Sequence, residues 1–190
     1  MAGLRERKRA RTHAQIQQEA IRLFRQQGYA NTRVDQICEA AEVSPSTFFR
    51  YFPTKEDVLL DDRLDEQVVE AFRAQPAELT PIQAVREAFR TVFTALPQEV
   101  KTWETERQAV IRSVPELQAR MLQTFTDSIR MLAAAVAERV GRSPDELEVR
   151  TFAGALIGVS LSAMMYADED ADYITLMDAG LGQLERGLTL

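Results

Sequence analysis

The stretch Ser44-Pro45-Ser46-Thr47, with Arg50, Tyr51 and Lys55 shortly after it, carries the residue types and spacing that most directly suggest chemistry in this chain. Short hydroxyl side chains at the start of a helix leave its first backbone N–H groups open, and that end can meet base edges or a phosphate. A guanidinium and an ammonium one to three turns later are the groups that pair with phosphate. Other reactive residues are sparse. His13, the sole histidine, has no cysteine or carboxylate near it in sequence and is expected as a surface or phosphate-facing side chain. The single cysteine, Cys38, allows no internal disulfide and lies beside Ile37 and Ala40, so it is expected as a small buried hydrophobe, which suits the reducing cytoplasm. Glu104 with Glu106, or Asp168, Glu169, Asp170 and Asp172, could be acid/base pairs or metal ligands, but carboxylates on solvated helix ends are commoner. With no glycine-rich phosphate loop and no nucleophile beside a base, neither enzyme activity, a metal nor a cofactor is expected.

The elements that must position Ser44 to Lys55 follow from helix-start signals, which recur along the chain while strand-like alternation does not. Thr12 with Gln15, Thr80 with Gln83, and Ser143 with Glu146 have capping-box spacing; Pro81 and Pro144 sit where a first helical residue needs no N–H; Gly28 and Gly141 follow periodic segments as stops. About nine helices are expected, near 12–27, 33–40, 45–51, 55–75, 81–96, 98–113, 115–140, 144–167 and 171–188, an all-α fold. Ile16, Ala20, Leu23 and Phe24 share one face of the first helix. The next two helices are too short to stand alone in water. Val34, Ile37, Ala41, Val43, Phe48 and Phe52 must therefore close a three-helix unit with the first, in which Thr32 and Asp35 cap the second helix and Ser44 caps the third. The fourth helix, from Lys55, is expected to run straight out of this unit and couple it to the rest of the chain.

Charge is divided along the chain. Residues 1–55 carry a net +5 and the remainder −11, for a total of −6. A basic head on an acidic body suits an anionic partner met by the head alone, although the split is also compatible with ordinary solvated surface. No signal-peptide pattern follows the N-terminal arginines, and the uncharged run from Thr151 to Ala167 falls short of the roughly 20 apolar residues a membrane span needs. No membrane partner is expected.

From about Thr12 to Leu59 the chain resembles the N-terminal domain of the TetR family of transcriptional regulators. The matching pattern is Ala20-x-x-Leu23-Phe24, Gly28-Tyr29-x-x-Thr32, Val34-x-x-Ile37, Ala40-Ala41-x-Val43-Ser44 and Phe48-Phe49-Arg50-Tyr51-Phe52-x-x-Lys55-Glu56-x-x-Leu59. The resemblance implies a helix-turn-helix DNA-binding domain at 1–54 and a larger helical ligand-binding and dimerisation domain at 55–190. It implies double-stranded operator DNA as partner, with Ser44, Pro45, Ser46 and Thr47 at the groove. Thr32, Arg33, Arg50, Tyr51 and Lys55 become phosphate clamps, and the N-terminal arginines a mobile arm. Two positions depart from the family pattern. Glu42 stands where the turn glycine is usual, at a cost of about 1 kcal/mol if it is left-handed. Phe49 stands where tyrosine is common, so one phosphate-directed hydroxyl is missing; whether its ring is a core aromatic stays open.

For the larger domain the resemblance implies a homodimer formed by the last two helices. Gly154, Gly158 and Ser162 make a smooth stripe, and Met177, Leu181 and Leu184 line one face of the last helix. Phe89, Phe93, Trp103, Met121, Phe125, Met164 and Tyr166 could line an effector pocket, though residues of these types are more often core. The segment Arg107–Arg120 resembles an actinobacterial branch of the family that includes the mycofactocin-cluster regulators, implying an acyl-CoA or another apolar effector. The function so implied is a cytoplasmic repressor released from its operator by a small molecule.

Overall fold

The computed structural model describes residues 3–61, 64–167 and 173–188. Its elements are helical throughout the described residues: α1 (Leu4–Gln27), α2 (Val34–Ala40), α3 (Pro45–Tyr51), α4 (Asp57–Leu60), α5 (Leu64–Arg73), α6 (Pro81–Ala95), α7 (Gln98–Ser113), α8 (Pro115–Val140), α9 (Leu147–Tyr166) and α10 (Tyr173–Glu185). They pack as two compact units. The first comprises residues 1–61 and 99–119, the second 62–98 and 120–190.

In the first unit α1 buries Ile16, Ala20, Ile21 and Phe24, and it packs on α2 and α4, while α2 packs on α3. Seven-residue helices have no stability of their own, and α2 and α3 hold their shape by burying Ile37, Cys38, Phe48 and Phe52 in this shared core. Burial pushes the Cys38 thiol up, with Asp35 adding to the shift, so it is a packing residue with little thiolate character. Helix α1 starts well before Thr12, which is therefore an interior residue and no cap. The expected mobile arm is instead helix: Arg5, Arg7, Lys8, Arg9 and Arg11 lie exposed on the first turns of α1. Gly28 ends α1 at φ 85°. Glu42 does adopt the left-handed conformation, at φ 53°, at the turn between α2 and α3.

The expected helix over 55–75 is interrupted. Helix α4 spans four residues and ends at Leu60, with Asp61 as its C-cap in an extended conformation at ψ 97°; α5 begins at Leu64. The last carbonyls of a helix lack intrahelical partners, and side chains take them here. Gln17 Nε2 donates to Val58 O at 3.1 Å and to Asp61 O at 3.0 Å, and Arg107 Nη1 of α7 donates to Leu59 O at 2.5 Å. Arg107 is held in turn by Glu104, at 2.8 Å through Nε and 2.5 Å through Nη2, and Gln108 adds a 3.0 Å bond to the same carboxylate. The single helix expected over 55–75 is thus present as two, α4 and α5.

In the second unit α5 packs on α6, and α10 on α6 and α9. Their core includes Phe72, Val85, Ala88, Phe89, Phe93, Val136, Ala153, Leu156 and Leu181. Thr80 caps α6 as expected, accepting from Gln83 N while Gln83 returns a bond to Thr80 N. The Ser143–Glu146 pair does form, with Ser143 N donating to Glu146 at 2.7 Å, but it closes a turn, and α9 starts three residues beyond Pro144, at Leu147. Arg86 and Arg90 clamp Asp178 of α10 and hold its carboxyl down to about 2. Close packing of α9 and α10 depends on Gly180, where a Cβ would lie 2.5 Å from Val159. By length and composition α9 is long and apolar enough to cross a membrane; here it packs along α10.

Removing one partner of a buried ion pair leaves the other charged and unpaired. Arg107→Ala should therefore destabilise the chain by about 3–5 kcal/mol, seen as a lower urea midpoint, whereas Arg130→Ala, which breaks the exposed Arg130–Asp127 pair on α8, should change it little.

Candidate nucleic-acid interface

Helix α3 begins where Ser44 accepts the backbone N–H of Thr47 at 3.2 Å, with Pro45 following as its first residue. The Ser44 hydroxyl also donates to Thr47 Oγ1 at 3.0 Å and lies 2.9 Å from Ser46 Oγ. Three hydroxyls thus cluster at the exposed N-terminal end of α3. Phe48 and Phe52 are fully buried on the inner face. That anchoring turns Ser46, Phe49 and Arg50, spaced by three and four residues, outward on one face. Arg50 lies over the Tyr51 ring at 5.4 Å, and Tyr51 is half-buried.

Two of the expected phosphate clamps have other work. Thr32 is 1% exposed; its hydroxyl donates to Gly28 O at 2.9 Å and accepts from Gln27, closing the turn after α1. It neither caps α2 nor faces a partner. Arg33 is the N-cap of α2, its N–H donating to Gln36 Oε1 at 2.9 Å, and it remains exposed. Lys55 is half-buried: its ammonium donates to Tyr29 O at 2.9 Å and Thr32 O at 3.1 Å and sits 4.0 Å above the Tyr29 ring. The Tyr29 hydroxyl reaches Glu56 at 2.6 Å. Lys55 therefore fastens the turn between α1 and α2 to the segment after α3. His13 is also misplaced by sequence reasoning. It is buried, 2.8 Å from Asp61 Oδ2 and packed on the Phe52 ring at 4.5 Å. No local signal marks such a partner 48 residues away. Sequence reasoning likewise missed Gln17, an ordinary polar residue until α4 is placed against it.

Among the residues expected at an effector pocket, Phe89 and Phe93 are stacked at 4.2 Å in the core of the second unit, with Tyr173 beside them. Met121 and Met164 are buried and Phe125 is half-buried in the same unit. Tyr166, at 74% exposed, lines no interior of this chain. Trp103 belongs to the first unit, where its Nε1 is buried with no hydrogen-bond partner among the described residues. The seven residues are therefore not gathered within one unit. Of those expected at a dimer interface, Met177 and Leu181 are buried in the chain's own core; the periodicity that suggested an interface reflects packing on α6 and α9. Leu184 is half-buried. Gly154, Gly158 and Ser162 lie on the outer side of α9, and a Cβ at either glycine meets nothing within 4 Å. Of the carboxylates, Glu104 is committed to Arg107 and Glu106 to Arg25; Asp168, Glu169, Asp170 and Asp172 lie outside the described residues.

The geometry separates two cations that look alike in sequence. Lys55→Ala should lower stability by about 2 kcal/mol through the lost charged hydrogen bonds while leaving the salt dependence of DNA binding by the folded protein nearly unchanged. Arg50→Gln should keep the melting temperature and lower the slope of log affinity against log salt by about 0.9. Urea unfolding and binding titrations at several salt concentrations separate the two.

These features occur together in known proteins. Residues 16–61 match the profile described as bacterial regulatory proteins, tetR family, and residues 79–189 match the MftR C-terminal domain. The chain is 39% identical to the HTH-type transcriptional regulator TcmR of Streptomyces glaucescens, over 76% of this chain and 67% of that one. It is 27% identical to the mycofactocin biosynthesis transcriptional regulator MftR of Mycobacterium tuberculosis, over 96% and 93% of the two chains. Its fold is similar to that of Thermus thermophilus FadR, a TetR-family repressor solved with lauroyl-CoA, at a TM-score of 0.56 and 23% identity over 94% of this chain and 95% of that one. A helix-turn-helix head and a helical second domain of the MftR type, matched over more than half its length, place this chain in the TetR family of bacterial DNA-binding transcriptional regulators, not among the enzymes.

Proposed function

We propose that the chain works in the cytoplasm as a homodimeric repressor, released from a near-palindromic operator by an apolar or amphipathic effector. Residues 1–54 carry DNA recognition and residues 55–190 carry dimerisation and effector binding. The base-reading surface is the outward face of α3 with the hydroxyls of Ser44, Ser46 and Thr47, flanked by Arg33, Arg50 and Tyr51 toward phosphate. The exposed cations on the first turns of α1 add to this basic head.

The observation that carries the dimer is the outer side of α9. An apolar helix presents Gly154, Gly158 and Ser162 in a row with none of the described residues above the glycines, and Leu147 and Met165 are exposed on the same helix. A flat stripe of this kind permits a second helix to approach closely, and a two-fold axis makes one patch serve both subunits. Leu184 of α10 is half-buried and keeps part of its side chain for a partner, while Met177 and Leu181 belong to the core. Two heads then read half-sites about one duplex turn apart or a multiple of it. The wild-type protein should sediment as a dimer at micromolar concentration. Gly158→Arg should sediment as a helical monomer with operator affinity lowered roughly hundredfold. A wild-type monomer at that concentration overturns the dimer.

The effector class rests on the apolar core of the second unit around Phe89 and Phe93, with Met121 and Met164 buried and Phe125 half-buried in the same unit, and on the likeness to proteins of the MftR type. The lauroyl-CoA bound by the FadR relative makes acyl-CoAs the first compounds to try. Linkage supplies the test: an effector that weakens operator binding must itself be weakened by the operator to the same factor. Lauroyl-CoA should raise the melting temperature of the free protein by mass action, and its affinity should fall when operator DNA is bound. Trp103 is the chain's only tryptophan, and its fluorescence offers a reporter for this titration. Equal affinity with and without DNA rules lauroyl-CoA out as an inducer.

A further inference from the structure

Phe49 is 51% exposed in the middle of α3, and its exposed neighbours on the same face, Ser46 and Arg50, are polar. Its ring stands edge-on to Phe48, with centroids 5.3 Å apart and an interplanar angle of 85°. Phe48 and Phe52 are both fully buried on the opposite face. Helix α3 therefore cannot rotate to hide Phe49 without exposing two other phenyl rings. A lone exposed aromatic elsewhere on a protein asks for no explanation. This one shares its face with Ser46 and Arg50, beside the hydroxyl cluster at the start of α3.

The phenyl ring has neither donor nor acceptor, so it cannot hydrogen-bond a phosphate or a polar base edge. The major groove offers one apolar group on a base edge, the C5-methyl of thymine. We propose that Phe49 is a specificity-determining residue that packs on a thymine methyl in each operator half-site. Ser46 and Arg50 on the same face flank that contact with polar ones. The assignment rests on α3 being the groove-facing helix of the proposed function, and it deepens that reading by naming a base.

The test uses the full chain and duplexes it selects from a random-sequence pool. In the selected duplex each thymine is replaced singly by uracil, which removes only the methyl, and affinity is measured by fluorescence anisotropy. One thymine per half-site should stand out. Its replacement should weaken the wild-type protein about fourfold, and symmetrical replacement in both half-sites about fifteenfold, the effect of one buried carbon per site. Phe49→Ala, expected to melt like the wild type because the ring is exposed, should bind the thymine and uracil duplexes within twofold of each other. As a measurement on the wild type alone, cytosine at that position should bind more weakly than thymine, and 5-methylcytosine should recover about fourfold over cytosine. The proposal is overturned if no single thymine methyl matters to the wild type, or if uracil weakens Phe49→Ala as much as it weakens the wild type. A pool that yields no preferred sequence removes the sequence-reading function and this contact together; a preferred sequence indifferent to its methyls removes this contact alone.

Discussion

The carbonyls at the end of α4 need donors in a place that water does not reach, and the first unit is arranged to supply them. Val58 and Leu59 are fully buried, and a four-residue helix can satisfy little of its own backbone. Gln17 reaches Val58 O and Asp61 O from α1, His13 holds the Asp61 side chain, and Arg107 reaches Leu59 O from α7. A buried guanidinium needs a counter-charge of its own, which Glu104 provides, with Gln108 taking up a further lone pair. Side chains from two helices distant in sequence thus converge on one short element. That convergence explains why α7 packs with residues 1–61 although nearly forty positions separate them.

The same economy of burial decides what α3 shows to the outside. Phe48 and Phe52 fix its rotation, and Ser44 fixes its start by taking up the Thr47 N–H. With rotation and start settled, the outward side chains have no freedom to exchange roles with the inward ones. Lys55 and Arg50 illustrate the difference. The Lys55 ammonium is consumed by two carbonyls and an aromatic face, so its charge supports the turn that carries Arg33. Arg50 keeps its guanidinium at the surface against Tyr51, where a phosphate can reach it. A left-handed Glu42 between α2 and α3 shows that the turn geometry is imposed by packing on both sides strongly enough to outweigh its local cost.

In the second unit, direct packing and ion pairing both bind α10 to α6. Arg86 and Arg90 hold Asp178 from two successive turns, and Arg86 also reaches Glu185. Gly180 then lets α10 lie close on α9 without a Cβ striking Val159. With its inner side occupied in this way, α9 keeps its other side, with Gly154 and Gly158, uncovered by the described residues. The apolar character of α9 therefore has two sources, one a core and one a surface suited to another helix.

The helical class, the three-helix head, the start of α3 and the inward Phe48 and Phe52 were all legible in the amino-acid order, because local periodicity and capping express these directly. So was the Thr80 cap, whereas the turn at Glu42 was marked only by the family resemblance, which has a glycine there. The partners of polar residues distant along the chain were not. Thr32 and Lys55 resemble phosphate ligands until their bonds to Gly28, Tyr29 and Thr32 carbonyls are seen. His13 resembles a surface residue until Asp61 is opposite it. Met177 and Leu181 share the periodicity of an interface, yet the same stripe serves a chain's own core equally well. The continuity of the fourth helix was decided likewise, by side chains from α1 and α7 that take the carbonyls a further turn would have used. Propensity and pattern act over one or two turns, whereas the need to satisfy each buried polar group acts through space, and which groups meet is settled when the chain has folded.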